Sequence, residues 1–245
     1  ASAKPFPITD LLVNPADGAM YVAYGGRRVQ SGLYRITYVG DESTAPAKPV
    51  RKGGNERKTR RSLEAYLQEG AKVASSSEID SIWKSLGSND RGIRHAARVA
   101  LEKQPAKAWK DRLAAEANPV TSTAAMIALA RVDGEGSASE ILAKAISLDY
   151  SKTKSRQTRL DILRSVTLSL TRGGQPNASD KAKLIRWLDG IYPASTPDEN
   201  RDLSAMAAFL NAPFAVERGM KLLTNASGQE EQIGYALNLR HLKDG

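Results

Sequence analysis

Apolar residues recur with a helical period over most of the chain, from about residue 59 to its end. Side chains three and four positions apart lie on one face of a helix, so this spacing indicates amphipathic helices. Glycine and proline interrupt the pattern, as at Gly87, Pro105 and the Gly173-Gly174 pair. We therefore predict short helices over RSLEAYLQEGAKV (61–73), SEIDSIWKSLG (77–87), DRGIRHAARVALEKQ (90–104), AKAWKDRLAAEA (106–117), TSTAAMIALARV (121–132), ASEILAKAISL (138–148), RQTRLDILRSVTLSLT (156–171), ASDKAKLIRWLDGIY (178–192), DENRDLSAMAAFLN (198–211), FAVERGMKLLT (214–224) and EEQIGYALNLRHLK (230–243).

The first part of the chain follows a different pattern. Three stretches, ITDLLV (8–13), AMYVAY (19–24) and LYRITYV (33–39), are rich in residues that favour strands. NPADG (14–18) suits a turn, and GGRRVQSG (25–32) suits a loop. We predict three antiparallel strands here. A sheet of this size is only marginally stable alone, so we expect it to need a partner surface.

The segment DRGIRHAARVALEKQP (90–105) shows how one of these helices is built. Its apolar side chains fall on one face, with Asp90 as the predicted N-cap and Pro105 ending the helix. Arg98 and Glu102 stand four positions apart and are predicted to pair. The apolar face contains Ile93, Ala96, Ala97, Ala100 and Leu101. The segment is therefore predicted to pack against neighbouring helices.

The alanine pattern of this helix recurs. Ala96-Ala97-x-x-Ala100-Leu101 becomes Ala124-Ala125-x-x-Ala128-Leu129, and SAMAAFL (204–210) is a weaker echo. A helix pair that returns at a near-fixed period indicates a helical solenoid, in which small residues let backbones approach closely. We predict a mostly α fold: a HEAT-like, armadillo-like α-α superhelical solenoid of about five helix pairs, with a small N-terminal antiparallel β segment.

Charge divides the chain further. Its net charge is +9, and RKGGNERKTRR (51–61) alone carries six basic residues and one acid. We interpret this run as part of a solvated linker. The predicted organisation is a β-meander over 1–40, a basic linker over 41–58 and HEAT-like helical repeats over 59–245.

Composition limits the chemistry. A hydrophobic fraction of 41% allows a buried core, which argues against disorder. The chain has no cysteine, which excludes disulfides, thiolate metal ligands, a cysteine nucleophile and covalently attached haem. No apolar run is long enough to span a bilayer. The chain begins at Ala1 without a signal-peptide pattern, and we expect it to be a piece of a longer protein.

Individual candidate sites all have a simpler interpretation. His95 and His241 are interpreted as packing or hydrogen-bonding residues, and GGRRVQSG (25–32) as a hairpin loop rather than an anion-binding nest. Tryptophans at helical spacing are interpreted as core residues, and the scattered acids as helix caps and solubilising charge. No catalytic, cofactor-binding or metal-binding residue is predicted. The tryptophans interpreted as core residues are Trp83, Trp109 and Trp187. The acids interpreted as caps and solubilising charge are Asp149, Asp161, Asp180, Asp189, Asp198, Glu199 and Asp202.

The chain also resembles a known family. ITDLLVNPADGAMYVAYGGRR followed by GLYRITYVG is similar to the closing blade of a bacterial β-propeller dehydrogenase of the sorbosone or glucose dehydrogenase type. IRHAARVALEKQP and EEQIGYALNLRHLKDG resemble the helical repeats that follow this propeller in large secreted proteins, usually before a c-type haem domain. The resemblance implies that residues 1–40 are the remnant of the last propeller blade.

For the parent protein, the resemblance implies a quinone-dependent dehydrogenase with pyrroloquinoline quinone and c-type haem, in the periplasm or secreted. Most of the propeller and any Cys-x-x-Cys-His motif are missing from this sequence, so no cofactor or functional residue of the family is assigned to it.

Two functions follow from the sequence. The first is a non-catalytic scaffold, a spacer between a dehydrogenase propeller and a haem domain, whose partners are neighbouring domains of the same polypeptide or another protein. The alternative is a basic HEAT-like solenoid that binds nucleic acid, of the DNA-repair glycosylase kind. A free-standing enzyme is not favoured, because no catalytic or metal set can be assembled from the sequence.

Overall fold

The fold is mostly helical with one small antiparallel sheet, as predicted. A computed structural model describes residues 6–45 and 54–242. The chain divides into two compact units, Ala1–Lys52 and Gly53–Gly245. The first unit contains the sheet, and the second contains the helices.

The N-terminal unit is a meander of three antiparallel strands in the order β1-β2-β3. The strands are β1 (Ile8–Val13), β2 (Met20–Gly26) and β3 (Val29–Ile36). The second hairpin differs from the prediction, because the predicted loop over 25–32 is almost entirely strand. Gly26 pairs with Val29, so only Arg27 and Arg28 form the turn, and Arg28 adopts a positive φ of 66°. β2 and β3 therefore remain paired up to a two-residue turn, a common connection in β-hairpins.

Eleven α-helices lie in the part of the chain that the structure describes. Nine of the eleven predicted helical segments correspond to one helix each, with ends shifted by a few residues. The helices are α1 (Gly54–Glu64), α2 (Ser76–Ser85), α3 (Arg91–Glu102), α4 (Arg112–Ala115), α5 (Pro119–Val132), α6 (Ala138–Ser147), α7 (Arg156–Gly173), α8 (Ala178–Ile191), α9 (Pro197–Phe209), α10 (Ala215–Asn225) and α11 (Gln229–Leu239).

Helix α3 is built as predicted. The Asp90 side chain caps its first turn by accepting the Ile93 N–H at 2.9 Å, and the helix ends before Pro105. Arg98 pairs with Glu102. All five residues of the predicted apolar face are buried: Ile93, Ala96, Ala97, Ala100 and Leu101.

Alternate helices contact one another in succession. α1 contacts α3, α3 contacts α5, and the contacts continue through α7 and α9 to α11. We call these six helices the inner row. The intervening helices also contact each other in part, as α4 does α6 and α6 does α8. This is the contact order of stacked helix pairs. The HEAT-like superhelical arrangement stays a prediction.

The row of small buried residues along α3 and α5, which we call a small-residue seam, has a further counterpart that the sequence pattern does not predict. In α7, Ser165, Val166, Ser169 and Leu170 are all buried with the same spacing as Ala124, Ala125, Ala128 and Leu129 in α5. Ser165 Oγ lies 3.5 Å from the Thr123 carbonyl oxygen of α5 and donates to the Asp161 carbonyl at 2.7 Å. Serine is almost as small as alanine, so it lets α5 and α7 approach closely. A search for alanines alone misses this seam.

Four helices of the inner row begin with the same side-chain bond. Each has a polar N-cap whose side chain accepts a backbone N–H: Asp90, Asn118, Ser155 and Thr196. Four positions later, a polar side chain donates to the carbonyl two residues before the cap. These bonds are Arg94 Nη1 to Ser88 O (2.7 Å), Ser122 Oγ to Glu116 O (3.2 Å), Arg159 Nη1 to Thr153 O (2.9 Å) and Asn200 Nδ2 to Ala194 O (2.9 Å).

Two of the helix predictions are wrong, because neither segment forms a continuous α-helix. The helix over 61–73 gives way at Glu64 to a 3₁₀ turn, and Gly70 has a positive φ of 72°. The helix over 106–117 is a 3₁₀ turn (Ala106–Ala108) followed by the single turn α4. In both, a contact with a distant segment accompanies the turn. The buried Gln104 side chain accepts the Ala74 N–H at 2.7 Å, and the buried Trp109 ring lies 6.4 Å from the ring of Trp83.

The predicted boundary between linker and repeats is also displaced. Residues 46–53 of the predicted linker (41–58) lie outside the described residues, but 54–58 belong to α1. Their side chains are exposed and show no apolar stripe, so the amphipathic pattern does not reveal them. Glu56, Arg57 and Lys58 nevertheless have good helix propensity. Further along α1, which contacts α3, Leu63 is buried in the same core cluster as the apolar residues of α3.

The alanine seams give a stability prediction. Ala97 and Ala125 are fully buried in neighbouring inner-row helices, so Ala97→Leu or Ala125→Leu overpacks the seam and should cost about 1–3 kcal/mol. Ala182→Leu on the exposed side of α8 is the matched control and should stay within about 0.5 kcal/mol of the parent protein. Chemical denaturation measures both. Equal stability of the seam and control variants would contradict the packing of these alanines against another helix.

Candidate interaction surfaces

The two histidines lie apart on the helical unit. His95 is exposed on α3, with Nδ1 3.3 Å from Arg98 Nη2, and its hydrogen-bonding neighbour is therefore a cation rather than a carboxylate. His241 follows α11, where its backbone N–H donates to the Asn238 carbonyl at 3.2 Å. The structure does not bring these residues together. Over residues 6–45 and 54–242, no group of three or more metal-binding side chains is found.

The tryptophans take part in the core. Trp109 is 1% exposed and its ring lies 6.4 Å from that of Trp83, whose indole N–H donates to Glu116 at 2.7 Å. Trp187 is half-buried and meets Tyr150 edge-on at 6.0 Å. All three therefore have the packing role that their spacing predicts.

Glu199 does not fit the interpretation of the acids as caps and solubilising charge. It lies in the first turn of α9 beside its N-cap Thr196, yet it is only 1% exposed. Arg159 from α7 donates to its carboxylate at 2.5 Å, and the Tyr150 hydroxyl donates at 2.8 Å. Both partners are 40 or more positions away along the chain, so the sequence around Glu199 does not reveal them.

The contacts of Glu199 determine its protonation. Burial alone would raise its pKa, but hydrogen bonds from Arg159, Thr196 and Tyr150 outweigh burial and lower the pKa below its usual value. Burial, together with the bond to Glu199, raises the pKa of Tyr150. A carboxylate with three donors and a lowered pKa is a poor proton acceptor. The cluster therefore joins α7, α9 and the loop before α7 rather than acting as a base.

Two more acids are partly buried on the inner row. Asp161 and Asp202 lie at half-buried positions of α7 and α9, and burial raises the pKa of each. They are not the solubilising charges that the sequence suggests. Asp180 and Asp198, in contrast, lie in the first turns of α8 and α9, where acids favour the helix dipole as predicted.

One face of the sheet is apolar and exposed. Cross-strand pairing aligns Leu11, Val22 and Tyr34 in one row and Val13, Met20 and Ile36 in the next. Phe6 stacks on Tyr24 at 4.8 Å, and Tyr24 stacks on Tyr34 at 5.2 Å, which extends this face. About half of the surface of each outer-strand side chain is exposed: Ile8, Leu11, Val13, Tyr34 and Ile36. We call the surface formed by these five residues, together with Phe6, Met20, Val22 and Tyr24, the apolar sheet face.

The opposite face of the sheet is partly polar. The Tyr21 hydroxyl donates to Asp17 at 2.9 Å, and Arg35 pairs with the same carboxylate at 3.3 Å. The Ala19 backbone N–H, followed by Tyr21 and Arg35, lowers the pKa of Asp17. Leu12 and Leu33 are exposed on this face. The two faces therefore differ in polarity, and the continuous apolar surface belongs to one of them.

A basic surface lies at the amino-terminal end of the helical unit. Arg57, Lys58, Arg60 and Arg61 are all exposed on α1, and Arg91 is exposed at the start of α3. These two helices contact each other. We call these five side chains the α1–α3 basic surface. Four of the five, all those on α1, belong to the basic run RKGGNERKTRR (51–61), which is predicted to be partly linker and partly helix.

Comparison of the chain with protein-family models, with curated proteins and with solved structures gives no match. The class of protein is therefore defined by the fold itself: a mostly helical protein with a small antiparallel sheet at its amino-terminal end. No helix in the described ranges combines the length and the apolar character that crossing a membrane requires. The resemblance to propeller dehydrogenases stays a prediction.

Proposed function

We propose that this chain is a non-catalytic scaffold and interaction module, whose sheet packs against a neighbouring domain through the apolar sheet face. The observation that supports the proposal is the exposure of this continuous apolar surface, which includes Leu11, Tyr34 and Ile36. Contiguous exposed apolar surface is typical of interaction sites. A sheet of three strands gains stability when such a face is covered.

The resemblance suggests which neighbours these are. In this proposal the preceding domain is the propeller of a secreted or periplasmic dehydrogenase, and a c-type haem domain follows the helices. Pyrroloquinoline quinone and haem would then belong to those domains and not to this chain. The stacked helices would act as a spacer that holds the two domains in a fixed relation, because packed helix pairs resist bending more than a flexible linker does.

Hydrogen exchange tests the role of the sheet. We expect the amides of residues 8–36 to exchange more slowly in the complete polypeptide, with its preceding domain, than in this chain alone. Replacing Leu11 and Ile36 by serine should abolish this additional protection. Replacing Leu12 and Leu33, which are exposed on the other face, is the matched control and should preserve it. Equal exchange in the complete polypeptide and in the isolated chain would reject an interaction at the apolar sheet face.

A deletion tests the spacer role separately. Removing residues 54–245, the helical unit from the start of α1, should slow electron transfer from substrate to haem in the complete polypeptide, because the two cofactor domains lose their fixed relation. Substrate oxidation with a soluble electron acceptor is the control, and it should be unchanged. If electron transfer to haem continues at the original rate, the helices are not a spacer.

A further inference from the structure

We propose that the α1–α3 basic surface binds the phosphate backbone of double-stranded nucleic acid. The proposal concerns the helical unit and is independent of the role proposed for the sheet. It rests on four observations: the exposure of these charges, the lack of a carboxylate partner for four of the five among the described residues, their position on two helices in contact, and the absence of exposed large apolar side chains on those helices.

The charges on this surface are largely unneutralised. Among the described residues, Arg60 alone of the five has a carboxylate partner, Glu64 at 3.1 Å, and both side chains of that pair are about half exposed. Arg57 and Arg61 stand four positions apart on α1, where like charges repel and weaken the helix. A bound polyanion would remove this repulsion. The surface is therefore electrostatically favourable for a ligand with several negative charges.

The basic residues of α1 and α3 are close enough to act together. A side-chain carbon placed at Gly92 would lie 3.6 Å from Arg60 Cδ, so Arg60 reaches across to the first turn of α3. Arg91 is the adjacent residue. Asp90, the N-cap of α3, also lies here, and its carboxylate accepts the Ile93 N–H at 2.9 Å. Arg91 therefore extends the α1 charges onto a second helix.

The chemistry of the surface favours phosphate on a duplex. Four of its five side chains are arginine, whose planar guanidinium binds phosphate or carboxylate through paired hydrogen bonds. An acidic peptide would also need apolar anchors, and single-stranded nucleic acid would need aromatic side chains for base stacking. No large apolar or aromatic side chain of α1 or α3 is exposed in the described structure. Phosphate contacts without base contacts predict binding that is independent of sequence.

The test is fluorescence anisotropy of the full chain with a labelled 20-base-pair DNA duplex. Five phosphate contacts predict that Kd rises roughly 500-fold between 50 and 200 mM salt, because log K falls by about 0.9 per contact for each tenfold rise in salt. The variant R57Q/R61Q/R91Q retains two contacts. Its Kd at 50 mM salt should be raised, and the same salt increase should weaken its binding only roughly 12-fold.

The matched control removes the same charge elsewhere. K84Q/K107Q/K221Q changes three lysines that are exposed on other parts of the helical unit, and it should retain the steep salt dependence. Circular dichroism checks that both variants fold. The proposal is overturned by any of three results: no duplex binding at 50 mM salt, equal weakening in the two variants, or displacement of the duplex by polyglutamate at equal negative charge. The last result would assign the surface to an acidic protein.

Discussion

Glu199→Ala should lower the free energy of unfolding by about 3–5 kcal/mol, because it leaves the mostly buried Arg159 guanidinium without its carboxylate. Arg159 would retain only its bonds to the carbonyls of Thr153 and Lys154. The Tyr150 hydroxyl, buried beside it, would also lose its acceptor. Chemical denaturation measures the change, with circular dichroism reporting on the loss of helix.

Asp198→Ala is the matched control for this prediction. Asp198 precedes Glu199 in α9 and also pairs with an arginine of α7, Arg156, but half of the Arg156 side chain is exposed to solvent. Exposed pairs contribute about 0–1 kcal/mol, so the control should be far less destabilised. Equal losses in the two variants would mean that Glu199 is not buried in its ion pair.

The stabilisation by Glu199 should also depend on pH. Because its pKa is lowered in the folded protein, the charged form stabilises the fold fully above the ordinary glutamate pKa. This contribution is lost as the pH falls through the lowered value. The stability difference between the parent protein and Glu199→Gln should therefore be constant near neutral pH and shrink in acid. Denaturation of both proteins across this range measures it, and a difference that grows in acid would contradict the assignment.

Trp109→Ala should destabilise the helical unit by about 3–5 kcal/mol, the usual cost of removing a buried aromatic side chain. The indole packs beside Trp83 and lies within hydrogen-bond distance of the Gln104 carbonyl oxygen. Its removal leaves a cavity in a segment that has almost no regular helix. Thermal unfolding should show a decrease in Tm of roughly 6–20 °C for a protein of this size.

Trp187→Ala provides the comparison. Trp187 is only partly buried on α8 and packs against Tyr150 at the edge of the core, so its loss should be smaller. The order of the two effects is the decisive result. If Trp187→Ala is the more destabilising change, the segment around Trp109 is not a fixed part of the core.

The sequence predicts most helices because their stability depends on local features. In α3, the Asp90 cap, the apolar face and Pro105 all lie within one segment, and the structure confirms each. The predictions over 61–73 and 106–117 are wrong for the opposite reason. There the contacts of Gln104 with Ala74 and of Trp109 with Trp83, which join segments distant in sequence, stabilise turns in place of an amphipathic helix. Local propensity is overridden by tertiary contacts at these positions.

Surfaces and buried charges are harder to predict. The local sequence places Glu199 three residues after the N-cap Thr196, but it does not reveal that Glu199 is buried, since burial depends on Arg159 and Tyr150 from another part of the fold. The sequence reveals the α1–α3 basic surface only in part, because exposed charged residues resemble a linker when they lack an apolar stripe. The available signal is the helix propensity of Glu56, Arg57 and Lys58.

The bond that recurs at the start of α3, α5, α7 and α9 has a consequence for how this protein can change in length. Each of these helices brings its own cap and its own side chain to fix the incoming loop, so the geometry of the junction is encoded locally. A change in the length of one loop would then leave the geometry of the other three junctions intact. The bonding residue differs among the four helices, being arginine, serine or asparagine, so any side chain at this position that can donate to the carbonyl suffices.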